Sequence, residues 1–214
     1  MAILVTVGNG FAEVGAGAWL MGHAQPAAFF GNVARRRRKG WRVPDRGRLD
    51  LVETTAAAKC SSSGRPFLTH IPCAEPVFAV SEKVLVAPAE AWAGAQAIRP
   101  VPMSVRSSIC VTEFRQEWLV SATAGRTARI QVSDGDTLSA RIEAVVAWTG
   151  NRPTGYCPKL GILDILLPRG PKDLLLHFHG PCLVWVEGAG GACSCAAGRM
   201  TGRGFFGAPY GRAC

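Results

Sequence analysis

The sequence lacks the short signatures that usually announce a chemistry. It has no C-x-x-C, no G-x-S-x-G and no Gly-rich loop followed by Lys-Ser/Thr. These absences remove the two-residue knuckle of the common zinc folds, the nucleophile elbow of Ser hydrolases and a phosphate-cradling loop. Histidine is scarce, with only His23, His70, His177 and His179. Charge is scarce too, at 18% of residues against 48% hydrophobic, which excludes a wholly disordered chain. The 25 glycines follow no three-residue period, which excludes collagen. The first 34 residues carry no Lys or Arg, so they fit neither the basic start of a secretory signal nor an Arg-rich transit helix. A buried or loosely packed leader is the expectation for them. A membrane span over 14–34 flanked by Arg35–Lys39, or an atypical organelle leader, is the alternative.

What charge there is lies unevenly. The net charge is +9 over 214 residues, and residues 31–48 alone hold eight bases and one acid. The bases are Arg35, Arg36, Arg37, Arg38, Lys39, Arg42, Arg46 and Arg48, with Trp41 among them. Three readings follow: a solvated linker, a patch for an anionic membrane surface, or a nucleic-acid contact using phosphate pairing and stacking. The eight cysteines are irregularly spaced. They read mainly as free thiols packed as small hydrophobes rather than as a disulfide framework.

From about Val77 short apolar runs rich in β-branched and aromatic residues alternate with Gly, Pro and Asp. They are Pro76–Val80, Lys83–Ala87, Ser108–Thr112, Glu117–Ala122, Ala128–Val132, Arg141–Trp148, Ile162–Leu167, Leu174–His179 and Leu183–Glu187. Runs of this length between turn signals predict strands. No long amphipathic helix pattern stands out after residue 70. The expected fold is all-β, a sandwich of short antiparallel strands over 76–188. A poorly ordered leader and basic linker over 1–75 precede it, and a Gly/Cys-rich tail over 189–214 follows.

Within this region Ala144-Val145-Val146-Ala147-Trp148-Thr149 and Gly180-Pro181-Cys182-Leu183-Val184-Trp185-Val186-Glu187 form two apolar motifs separated by a spacer. Their order resembles the mitochondrial-biogenesis family called altered inheritance of mitochondria protein 24, whose fold is similar to that of the tryptophan RNA-binding attenuator protein. Cys182 stands where that family usually has a second Gly, and Glu187 where Gln is common. The resemblance covers about a third of the chain. It implies a non-enzymatic structural or scaffolding protein without a cofactor, linked to inner-membrane organisation. It also implies protein partners or a homo-oligomer and a mitochondrial location, with a cytoplasmic one as the alternative. The residues it singles out are architectural: Val146, Ala147, Trp148, Gly180, Pro181, Val184 and Trp185. Strand alternation puts Val146 and Trp148 on one face, and Val184 and Val186 on one face. Each Trp wants a partner for its indole N–H.

One pattern points to a different chemistry. His177-Phe178-His179 places two imidazoles on one face of a strand. Cys182, Cys193 and Cys195 follow closely, so the residue types of a zinc site are present in an unfamiliar spacing. A zinc-dependent protein using His177 and His179 with Cys ligands is therefore one alternative. A basic nucleic-acid-binding module using Arg35–Arg48 is another.

Overall fold

The computed structural model describes residues 5–8, 10–16, 19–23, 27–30, 33–36, 42–43, 47–54, 56–62, 64–98, 109–156, 175–188 and 196–197. In chain order the strands are β1 (Val5–Gly8), β2 (Phe11–Val14), β3 (Trp19–His23), β4 (Ala27–Phe30), β5 (Val33–Arg36), β6 (Arg42–Val43) and β7 (Gly47–Thr54). Then come β8 (Ala58–Ser62), β9 (Phe67–Pro72), β10 (Val77–Val80), β11 (Val84–Pro88), β12 (Trp92–Ile98), β13 (Ile109–Phe114) and β14 (Trp118–Thr123). The last are β15 (Thr127–Val132), β16 (Thr137–Arg141), β17 (Val145–Thr149), β18 (Thr154–Tyr156), β19 (Leu175–His179), β20 (Cys182–Glu187) and β21 (Ala196–Ala197). Two 3-10 turns, Ser81–Lys83 and Ala89–Ala91, flank β11. The fold is all-β, and the pairings are antiparallel.

Among the described residues four sheets stack in layers. The two central sheets run β5-β7-β3-β11-β14-β9, with β6 beside β7, and β12-β13-β10-β17-β20-β15. The two outer sheets run β1-β2-β8-β4 and β18-β19-β16-β21. Three apolar cores lie between successive layers. The first joins Ala12, Val14 and Cys60 to Leu85, Val86, Trp118 and Val120. The second joins Ile71, Val84 and Leu119 to Val77, Phe114, Val146 and Trp185. The third joins Val111, Val145, Trp148 and Val184 to Leu138, Leu176 and Phe178. The central strands β11, β14 and β17 are therefore buried on both faces. That is why they read as continuous apolar runs instead of alternating ones.

The central sheets repeat one connectivity. Ranked by chain position, each path runs second, third, first, fifth, sixth, fourth. The fifth-ranked strands, β11 and β17, both carry a register shift, between Val84 and Val86 and between Val145 and Ala147.

Most expected strands fall on observed ones within one or two residues. Arg141–Trp148 is an exception: a turn at Ile142–Ala144 divides it, with the Val145 amide bonded to the Ile142 carbonyl at 3.2 Å. Ile162–Leu167 lies outside the described residues, as does nearly all of 189–214. On either side of residue 75 the described strands share sheets and cores. β3 sits between β7 and β11, and Ile71 and Cys73 pack with Val77 and Ala79. Within 14–34 the described stretches Trp19–His23 and Ala27–Phe30 are strands. No helix among the described residues is long and apolar enough to cross a membrane.

Candidate functional site

β19 is an inner strand of a short outer sheet, and its residues alternate cleanly. Leu176 and Phe178 point into the third core, leaving His177 half-buried and His179 exposed on the outward face. The register sets Ser139 and Thr154 on either side of His177, and Thr137 beside His179. Ser139 Oγ lies 2.7 Å from His177 Nδ1. Tyr156 donates its hydroxyl to Ser139 Oγ at 3.4 Å. The two imidazoles meet edge to face, with ring centroids 4.6 Å apart. Partial burial, together with the neighbouring His179, draws the His177 pKa below its ordinary value. The result is an outward-facing cluster of two imidazoles, the Ser139 hydroxyl and the Tyr156 phenol. The H-x-H spacing revealed the histidine pair. Ser139 and Tyr156 left no linear signal, because Ser139 lies 38 residues from His177 and joins it only through strand register.

Cys182 is not brought to that pair. It is buried in the third core, with Phe178, on the opposite side of the sheet from the imidazoles. Burial pushes its thiol pKa up, and a thiolate is the form a metal needs. Cys193 and Cys195 lie outside the described residues. Among the described residues no group of three or more His, Cys, Asp or Glu is placed to hold a metal ion. Of those candidate ligands, the described residues bring together only His177 and His179. Cys60 and Cys73 are buried free thiols, each pushed up to about 12 by desolvation.

The motif residues build the junction between the second and third cores. Val145 pairs with Val186, Ala147 with Trp185 and Trp148 with Val184, leaving Val146 as the extra residue of a bulge. Val146, Ala147 and Trp185 enter the second core, whereas Val145, Trp148, Val184 and Val186 enter the third. Val146 and Trp148 therefore face opposite sides, contrary to simple alternation, while Val184 and Val186 share a face as expected. Trp148 stacks on Phe78 at 5.9 Å and meets Phe178 edge-on at 5.7 Å. Its indole nitrogen has no hydrogen-bond partner among the described residues. Gly180 and Pro181 form the β19–β20 turn, joined by a cis peptide bond. A side chain on Gly180 would run into the Ser133 carbonyl.

Sequence reading missed a buried ion pair at the end of the second motif. Lys83 Nζ lies 2.8 Å from Glu187 Oε2, with side chains only 11% and 15% exposed. Lys83 also donates to the Glu143 carbonyl. Glu187 Oε1 accepts the Ala124 and Gly125 amides at 2.7 and 2.9 Å. Desolvation draws the Lys83 pKa down against the pull of Glu187. For Glu187 burial acts upward, but Lys83 and the two amides together outweigh it and hold the carboxyl below its ordinary range. The residue at the motif's departure from Gln thus ties β20 to the β14–β15 turn and to the 3-10 turn before β11.

Of the basic segment, Arg35 and Arg36 fall in β5, Arg42 in β6 and Arg48 in β7. The register makes Arg42 and Arg48 direct cross-strand partners. Arg37, Arg38, Lys39 and Arg46 lie outside the described residues.

No family model matches the sequence, and no curated protein matches it significantly. Among solved structures it is similar to the X-ray crystal structure of a Streptococcus pyogenes protein, a structural genomics target, with a TM-score of 0.65. That likeness is one of fold. Identity is 12%, over 87% of this chain and 93% of that chain. At that identity a shared architecture transfers no activity. The coverage does show that the common fold takes in residues before 76 as well as after.

Proposed function

We propose that this chain is a non-enzymatic structural or scaffolding protein that self-associates or binds protein partners at an anionic membrane surface. The reading extends to a mitochondrial location, with the cytoplasm as the alternative, in keeping with the resemblance to mitochondrial-biogenesis proteins. One observation carries it. Val146, Ala147, Trp148, Val184 and Trp185 are spent on the junction between two cores, and Gly180-Pro181 on the turn beside it. Residues used in this way make a rigid body and present no chemistry to a substrate.

The basic segment supports the anionic partner. Residues 31–48 hold eight bases and one acid, and an anionic surface attracts such a cluster at about 1 kcal/mol per base. The same observation supports nucleic acid as the second reading. Sedimentation velocity and flotation with phosphatidylserine vesicles test the first reading. The expected result is a species larger than a monomer, or vesicle binding that weakens with salt. A monomer that ignores vesicles but binds single-stranded RNA with a steep salt dependence would replace it with the second.

A further inference from the structure

We propose that His177 and His179 form an outward-facing binding site for a divalent transition-metal ion that prefers imidazole, such as Ni2+, Cu2+ or Zn2+. The site is independent of the scaffold role.

Three observations carry this. The rings lie 4.6 Å apart by centroid and are set edge to face, so one ion in front of the strand lies within reach of a nitrogen from each. Both stand on the solvent side of the outer sheet, with His179 exposed, so an ion has an open approach and water fills the remaining coordination positions. Ser139 holds His177 by Nδ1 at 2.7 Å. Tyr156 already donates to the Ser139 oxygen, which keeps a second lone pair for an Nδ1 proton. Accepting that proton leaves Nε2 bare and fixes the ring plane. Metal-bound histidines are commonly held in this way through their other ring nitrogen. A mixed thiolate site is a different proposal, and Cys182 faces away from these rings.

Nickel chloride is the probe, because it favours imidazole without oxidising thiols. The experiment is titration calorimetry on the untagged full chain. One ion per chain is expected, with affinity reduced at least about tenfold by His177→Gln or His179→Gln and about tenfold by Ser139→Ala. His70→Gln leaves it unchanged. A footprint on the unmodified chain keeps the test independent of folding. Nickel should protect His177 and His179 from diethylpyrocarbonate, read by peptide mass, while exposed His70 goes on reacting. Full reactivity of His177 and His179 at saturating nickel overturns the proposal. So does nickel binding that survives in the folded double variant.

Discussion

At the residue scale, Trp148 and the Lys83–Glu187 pair hold the fold in different ways. Trp148 contributes apolar surface and ring contacts, since its indole nitrogen makes no hydrogen bond among the described residues. Trp148→Phe is therefore expected to cost only about 1–2 kcal/mol. Trp148→Ala should cost about 3–5 kcal/mol through the cavity it leaves, as measured by urea unfolding. The ion pair behaves differently, because removing one partner strands the other. Glu187→Ala leaves an ammonium buried with the Glu143 carbonyl alone, whereas Lys83→Met leaves a carboxylate still held by two amides. Glu187→Ala should cost about 3–5 kcal/mol and Lys83→Met less. The pair also sets an acid limit. The folded Glu187 pKa lies below the ordinary 4.5, so its stabilisation is complete above that value and is lost as pH falls through the folded pKa. Unfolding free energy measured from pH 6 downward should drop below about pH 4.5, with a shallower drop in Glu187→Gln.

Among the elements, the turn and the bulge decide where the motif residues point. Gly180 is required by a close approach, because its Cα faces the Ser133 backbone. Gly180→Ala should cost about 2 kcal/mol, which is roughly 4–8 °C in Tm for a chain of this size. Calorimetry would show it, and an unchanged Tm would mean that the turn yields. The bulge at Val146 shows where strand alternation misleads. One inserted residue turns Ala147 toward one core and Trp148 toward the other, and nothing in a run of small apolar residues marks the insertion. The paired histidines show the opposite case. Period-two spacing placed them correctly on one face, because β19 has no bulge in its pairing with β16.

Across the whole molecule, described strands from before and after residue 75 share sheets and cores. The two central sheets share a connectivity, and each draws on distant segments: β3 lies beside β11 in one, and β10 beside β17 in the other. Removing residues 1–75 would strip Ala12, Val14, Leu20, Cys60 and Ile71 from cores that also contain Leu85, Trp118 and Leu119. The truncated chain is expected to aggregate or to bind a hydrophobic dye such as ANS. A monomeric 76–214 fragment with an undiminished Tm would contradict this.

What the sequence determined by itself was the local content: an all-β chain, most strand positions after residue 76, the paired histidines and the concentration of charge in one segment. These follow from side-chain period, β-branched composition and turn residues, which act over a few positions. The tertiary structure alone decided which residues meet. Register brings Ser139 and Tyr156 to His177, a bulge parts Val146 from Trp148, and Lys83 reaches Glu187 across 104 residues. It also set Cys182 on the core side, away from the imidazoles. Such pairings depend on the stacking of whole sheets, and a periodicity read over a few residues carries no record of them.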